Sequence, residues 1–353
     1  MIGFCIGIVI VGLVFEVQER IFVKKADEAF KEDVHYQYYY SKLDEEDQFN
    51  YRRLYYTLKN HKEKVTIHED DIEKAEELYY AVMDDHPEFY YLKSTFEYID
   101  GDEITIWPAY QYSQEEIEKY DLEIENKTQE ILNQFNEKEG IEKIEAIYDY
   151  IIENTSYHSN NNDQNILSVL LDNQSVCAGY ARCYQYLLNQ VGIDAAYVGG
   201  ISEEDADVGH AWVMIHYNND YYYSDPTWGD IEDEDVKHSC KAYFMMNSEQ
   251  MLKHYSPDSF YEKTMGDYNY FDSIGCYMRE YDRDIVSNAV KYSLNQGNHT
   301  VEIQCASQTV YNRLVSEIKG NHLAYYVLKE NDCYSEDCSY SADETNLLIE
   351  IYY

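Results

Sequence analysis

Three residues carry the chemistry that can be read from this sequence. Cys177 sits in SVCAGYA (175–181), His210 opens HAWVMI, and Asp225 lies in YYYSDPTW. Taken singly, each has an ordinary explanation. A free cysteine is usually inert packing, a histidine at a strand start is usually a satisfied core or surface residue, and aspartate before proline is common turn chemistry. Together and in this order they are the parts of a nucleophilic centre. A thiolate attacks, an imidazole takes and returns the proton, and a carboxylate holds the imidazole tautomer.

Such a centre needs elements that bring the three side chains together. Asp172, Asn173 and Ser175 are helix-capping types, and Cys177, Ala181, Tyr184, Leu188 and Val191 then recur at helical spacing until Gly192. The pattern predicts a helix of about fifteen residues with Cys177 in its first turn. There the unpaired N–H groups and the macrodipole favour a thiolate, and the same groups can stabilise an oxyanion. Gly179 and Ala181 are expected to leave room for a substrate. After the strand-like DAAYVGG and an acidic loop, HAWVMIHYNNDYYYSD reads as a hairpin turning at Asn218-Asn219. A two-residue turn pairs Tyr217 with Asp220 and sets Asp225 opposite Trp212. His210 shares the Trp212 face, so His210 and Asp225 become diagonal neighbours with Cα atoms about 7–8 Å apart. A three-residue turn without a bulge would put them on opposite faces. His216 shares the predicted face but lies beside the turn, and His158, in the polar loop 158–166, is a weaker competitor for the base.

Composition limits the function classes. Among 353 residues, 27 Lys and Arg stand against 68 Asp and Glu, a net charge of −41. Such a surface repels phosphate backbones and anionic headgroups, so no nucleic-acid partner is expected, and cationic partners such as Lys-rich proteins are favoured. The bulk of the charge reads as solvated helix faces. The 41 tyrosines read as compositional bias. The eight cysteines show no paired CxxC spacing, so no thiolate metal site is predicted, and neither a metal nor a cofactor is expected. Cys333 and Cys338 are close enough in sequence for a local disulfide. Cys177 and Cys183 cannot bridge on one helix, being separated by about 9 Å.

Four regions follow along the chain. The apolar run 2–15 is short for a bilayer span of about 20 residues and fits a secretory h-region better, without basic residues before it or an A-x-A site after it. Residues 1–25 are therefore expected to be a signal peptide or membrane anchor, with a buried core helix as the alternative. This places the remainder outside the cytoplasm, extracellular or at the cell surface. Residues 26–139 are helix-rich, with an apolar face at Ile72, Ala75, Leu78, Tyr79 and Val82, a hairpin about Asp100-Gly101-Asp102, and a long helix from Ser113 to about Phe135. Residues 140–280 hold the chemistry and open with a helix whose stripe includes Ile141, Ile144, Ile147, Tyr148, Ile151 and Ile152. Residues 281–353 read as a small α+β module of short strands and a helix.

The segments SVCAGYARCYQYLLNQVGI, GHAWVMI and YYYSDPTWGD resemble the core of the transglutaminase-like superfamily. KAYFMMNSEQMLKHY is similar to the tail of bacterial members, where a YF strand precedes a short helix. The resemblance spans about residues 140–256, is looser over 30–139, where it is similar to the helical lead-in of bacterial secreted members, and leaves the C-terminal part uncovered. It implies an α+β fold with a papain-like core, in which Cys177 is the nucleophile, His210 the general base and acid, and Asp225 the orienting residue. It also implies acyl transfer through a thioester on Cys177, with protein or peptide amides as donors and Lys amines or water as acceptors. Cross-linking, deamidation and proteolysis, including a cell-wall amidohydrolase, all stay open, as does a non-catalytic binding module. The acidic stretches 202–207 and 230–235 flank His210 and Asp225. They read as solvated loops, with attraction of a Lys acceptor or Ca²⁺ binding as alternatives, although neither has EF-hand spacing.

Overall fold

The computed structural model describes residues 2–203, 205–233, 236–258, 260–333 and 338–353, with backbone alone for 2–15, 205–207, 232, 233 and 236. The apolar N-terminal run and the polar stretch after it form one continuous helix, α1 (Ile2–Lys31). No described helix is long and apolar enough to cross a membrane, and the side chains of the expected anchor lie outside the described residues. The second half of α1 is held on α3 (Glu45–Lys59) by aromatic edges and ion pairs. Phe22 meets Tyr56 at 5.4 Å and Phe30 meets Tyr55 at 5.6 Å, while Arg52 pairs with Asp27 at 2.8 Å and Arg53 with Glu19.

Local signals fix the rest of this region. Between α1 and α3 lies the short α2 (Tyr38–Lys42). Asp44 caps α3 and Asp71 caps α4 (Ile72–Asp85), which buries Ala75, Leu78, Tyr79 and Val82 as its spacing predicts. Strands β1 (Val65–Ile67), β2 (Leu92–Ile99) and β3 (Ile104–Tyr110) form an antiparallel sheet in the order β1-β3-β2. The last β2–β3 pair is Ile99 with Thr105, so the turn is longer than a two-residue Asp-Gly turn. Ser113 and Glu116 cap each other at the start of α5 (Gln114–Asn133).

The central region begins with α6 (Gly140–Asn154), which buries Ile144, Ile147, Tyr148, Ile151 and Ile152. Next come β4 (Ser156–Tyr157), the short α7 (Leu167–Leu170), β5 (Gln174–Ser175), which pairs parallel to β4, and α8 (Cys177–Gln190). Helix α8 packs across β6 (Ala195–Ser202) and β7 (Asp205–Tyr217). With β8 (Asp220–Ser224) and β11 (Tyr255–Pro257) these make an antiparallel sheet in the order β11-β6-β7-β8. Tyr217 pairs with Asp220, and Asn218 and Asn219 both take positive φ, 53° and 62°. This is the twist-matched two-residue turn that the Asn-Asn pair predicts. The acidic stretches are not open loops. Residues 205–207 extend β7, and residues 230–233 are β9 (Asp230–Asp233), paired with β10 (Val236–Ser239). The tips, 204 and 234–235, lie outside the described residues. The YF segment is no strand either. Lys241–Tyr243 is a 3₁₀ turn, followed by the short α9 (Ser248–Met251).

The C-terminal part joins α10 (Tyr270–Ser273) to a second sheet of β12 (Tyr277–Met278), β13 (Thr300–Cys305), β14 (Ser339–Asp343) and β15 (Leu348–Tyr352), ordered β12-β13-β15-β14. Three helices accompany it where the sequence pattern suggests one: α11 (Arg283–Gln296), α12 (Gln308–Asn321) and α13 (Leu323–Glu330). Each buries four residues, all but Ser293 of α11 hydrophobic, and Asp282 and Ser307 cap the first two. The molecule is thus α+β, helices packing on antiparallel sheets. Cys333 and Cys338 are free thiols, not a disulfide. Cys333 packs against the core whereas Cys338 is exposed.

Candidate active site

Cys177 is the first residue of α8, and the residue before it, Val176, has no side-chain acceptor with which to cap the helix. The capping types upstream are used elsewhere. Ser175 is buried, and its hydroxyl lies 2.7 Å from the Ser168 hydroxyl. The first turn of α8 therefore takes no cap from its N-cap residue at the end where the helix dipole is positive. Gly179 does not open space for a substrate, as its small size suggests. A Cβ there would come within 2.0 Å of the Ser175 hydroxyl and 2.4 Å of the Ser168 hydroxyl, so the glycine lets the Cys177 turn settle onto the buried serines. Ala181 is likewise fully buried.

The hairpin delivers the other two groups. His210 lies on β7 and Asp225 follows β8 directly, and Nε2 of the one is 2.6 Å from Oδ2 of the other. The Asp225 N–H donates to the Tyr243 carbonyl at 2.9 Å, which fixes the chain where it leaves the sheet. The carboxylate is fully buried and fully partnered. Oδ2 also accepts from the Tyr255 hydroxyl at 2.6 Å, and Oδ1 accepts from the N–H groups of Thr227 at 2.8 Å and Trp228 at 3.2 Å. Hydrogen bonds to a charged group contribute about 1.5–3 kcal/mol each, so these donors hold an anion where burial alone would expel it.

With Nε2 turned to Asp225, the other ring nitrogen of His210 is left for Cys177, whose side chain lies near enough to help raise the imidazole's pKa. Burial works to lower the imidazole's pKa. The Asp225 carboxylate and the Cys177 sulfur outweigh it and raise the value from 6.5 to about 10. Aromatic rings fix the imidazole plane. Tyr255 stacks on it at 5.3 Å and 17°, Trp212 stacks on Tyr255 at 4.5 Å, and Trp228 approaches His210 edge-on at 6.1 Å.

Thus the three predicted residues come together, and the competitors do not join them. His216 stacks on Tyr221 at 4.8 Å and faces Asp194 at 3.3 Å. His158 is exposed, its N–H donating to the Ser175 carbonyl at 2.9 Å. Cys183 is fully buried on the same helix, and burial pushes its thiol pKa far up. Three tyrosines were not singled out by spacing. Tyr255 holds Asp225. Tyr148, on α6, donates to the carbonyls of Asp225 at 3.2 Å and Cys240 at 3.1 Å; the first contact requires Gly229, where a Cβ would sit 1.8 Å from the Tyr148 hydroxyl. Tyr157 is placed beside Ser175 by the β4–β5 pairing, and its hydroxyl lies against the Cys177 N–H. Tyr148 is on the predicted core stripe and Tyr255 ends the KHY segment, but no periodicity marks either hydroxyl as part of a site. The acidic stretches contribute Asp230, which accepts from the Tyr180 hydroxyl at 2.7 Å. Most of their other side chains lie outside the described residues.

Residues 127–226, which include Cys177, His210 and Asp225, match the family model of the transglutaminase-like superfamily. Among solved structures, the chain is similar to the crystal structure of a TGase, with 15% identity and a TM-score of 0.29, over 50% of this chain and 54% of that one. It is also similar to a candidate cysteine protease from Cytophaga hutchinsonii, with 13% identity and a TM-score of 0.28, over 49% of this chain and 79% of the other. The chain spans about half the length of the first of these. No curated protein matches it.

Proposed function

Starting from a transglutaminase-like core over residues 127–226, we propose that the protein is a cysteine-dependent acyltransferase or hydrolase acting on protein or peptide amides. One observation supports this most. His210 is held between the buried Asp225 carboxylate, at 2.6 Å, and Cys177, at the uncapped start of a helix.

In this reading the imidazolium of His210 keeps the sulfur of Cys177 as a thiolate. The sulfur adds to the amide carbonyl carbon, and the developing oxyanion meets N–H groups of the first turn of α8. Collapse breaks the C–N bond. His210 gives its proton to the leaving nitrogen, which departs as ammonia from a glutamine carboxamide or as a new amino terminus from a peptide bond. The acyl group stays on Cys177 as a thioester. An incoming amine or water then attacks that carbon, His210 takes the proton, and the C–S bond breaks to return the thiolate–imidazolium pair. Asp225 holds the ring throughout, and Tyr255 holds Asp225.

The net charge of −41 suits a Lys-rich acceptor, and the apolar segment 2–15 would bring the enzyme to a cell-surface substrate. The test incubates wild type and Cys177→Ala with a labelled primary amine and a surface-protein extract. Cys177-dependent incorporation identifies transfer; ammonia or new amino termini without incorporation identify hydrolysis. If the wild-type protein yields none of these products, the proposal fails.

A further inference from the structure

We propose that Asp33, His35, His86 and Glu88 form a binding site for a divalent transition metal of the zinc class, pinning the segment after α1 to the end of α4, where the Cys177 helix is held. The four side chains each direct one ligand atom into a common space, all within 4.8 Å of one another. His35 Nδ1 is 2.7 Å from Asp33 Oδ1, and His86 Nδ1 is 2.8 Å from Glu88 Oε1. The cross pairs, His35 Nδ1 to Glu88 Oε1 and His86 Nδ1 to Asp33 Oδ2, are 3.9 and 4.0 Å apart. Zinc bonds of about 2.0–2.1 Å set tetrahedral ligand atoms about 3.3–3.5 Å apart. The close pairs lie below that spacing and the cross pairs above it, so half-ångström movements of side-chain tips would suffice.

The charges point the same way. Two carboxylates and two neutral imidazoles carry −2, which one dication balances. His86 is fully buried, its Nε2 has no hydrogen-bond partner, and its neighbours are the rings of Tyr55 at 4.8 Å and Phe89 at 4.9 Å. The ring therefore meets both carboxylates through Nδ1. The other groups facing the cluster are accounted for. Tyr55 donates to Asp33 and accepts from Lys59 at 2.6 Å, while Asp85 turns away to the N–H groups of Tyr39 and Tyr40 and the hydroxyl of Tyr51. The Tyr55–Asp33 bond is the kind of outer support that orients a ligating carboxylate. Two imidazoles with two carboxylates favour Zn²⁺ over Mg²⁺ or Ca²⁺.

The location gives the site a purpose. The residues just before His86 are held by α8: Arg182 donates to the Met83 carbonyl at 2.8 Å and to Asp84 at 2.7 Å, and Gln185 donates to the Asp84 carbonyl at 2.6 Å. A metal here would tie the chain after α1 to the last turn of α4, which the helix of Cys177 grips. Asp33-Val34-His35 and His86-Pro87-Glu88 each present two ligands two residues apart. Only the fold brings the pairs together.

The test uses the full chain, chelator-treated, titrated with Zn²⁺ for affinity and Co²⁺ for spectra, and monitored by thermal unfolding. His86 is buried and its removal risks the fold, so His35→Ala, a ring already 34% exposed, is the informative variant. The expected result is one metal per chain and tetrahedral Co²⁺ d–d bands without a thiolate charge-transfer band. The unfolding midpoint should rise with metal. His35→Ala, still folded by circular dichroism, should bind Zn²⁺ on the order of 100-fold more weakly, while His238→Ala keeps wild-type affinity. Equal affinity in wild type and His35→Ala, or a charge-transfer band that assigns the metal to a cysteine, would overturn the site.

Discussion

Two histidines of this chain each pair with a buried carboxylate at nearly equal distance. His210 meets Asp225 at 2.6 Å in the central sheet, and His238 meets Glu350 at 2.8 Å where the β9–β10 hairpin reaches the C-terminal sheet. In both, burial works against the charged imidazole and the carboxylate outweighs it, so both histidines titrate above their ordinary value. The third group separates them. Asp225 has backbone and tyrosine donors on every side and leaves His210 a free nitrogen for a sulfur at a helix start. Glu350 instead faces a second, half-buried carboxylate, Glu302, its partner across the strands, and takes Ser341 and Tyr352 as further donors. Burial, then Glu350, raises the Glu302 pKa to about 7. A buried His–carboxylate pair is therefore not a site by itself. What the free ring nitrogen can reach decides between chemistry and an electrostatic joint.

That contrast can be broken by substitution. The largest effect belongs to the first pair: Asp225→Asn should lower kcat/KM by on the order of 10³–10⁴-fold with the fold intact by circular dichroism, as expected when the orienting carboxylate of a triad is lost. Retention of near-wild-type kcat/KM would place Asp225 among structural carboxylates. Tyr255→Phe removes one donor to a buried anion and should cost about 1.5–3 kcal/mol of stability, read from denaturant unfolding, together with a smaller loss of kcat. Unchanged stability would show the 2.6 Å bond to be unimportant. His238→Ala should cost a similar 1.5–3 kcal/mol by breaking a charged hydrogen bond, yet leave kcat/KM within about threefold of wild type because it shares no partner with the site. A large loss of kcat/KM there would erase the distinction between the pairs.

The pH dependence sharpens the comparison at a finer scale. His210 binds its proton more tightly folded than unfolded, so its contribution is complete below about pH 6.5 and is lost as pH rises toward about 10. The stability gap between wild type and His210→Gln should shrink across that window. Glu302 also has a raised pKa, and a carboxylate so placed loses stability as pH climbs from about 4.5 to about 7, where the unfolded chain has already released its proton. Glu302→Gln should flatten that decline, and a parallel profile would contradict the raised value.

Much of the first pair was legible in the sequence and almost none of the second. Asn218-Asn219 fixes a turn, the turn fixes a register, and the register puts His210 beside Asp225, because strand faces alternate with period 2. The start of α8 was placed correctly, but the capping serine was misread, since Ser175 turns inward to Ser168 and leaves Val176 at the cap. Tyr255 and Tyr148 reach Asp225 from β11 and α6, distances in sequence that no periodicity spans. His238, Glu302 and Glu350 come from three separate strands, and Asp33 follows α1 while His86 ends α4, three helices later. The C-terminal helices are hard to count from sequence because α11 and α13 carry tyrosine and β-branched residues, Val286, Val290 and Tyr292 in one and Tyr325, Tyr326 and Val327 in the other, that suit strands as well.

The most direct test is the alkylation rate of Cys177 by iodoacetamide, resolved by peptide mass spectrometry against buried Cys183 and followed over pH in wild type and His210→Ala. A thiolate held by imidazolium predicts fast Cys177 labelling already on the acid side of neutrality, abolished in His210→Ala, with Cys183 slow in both. Cys177 labelling that is slow at neutral pH, rises only in alkali as for an ordinary thiol, and is indifferent to His210 would contradict the account.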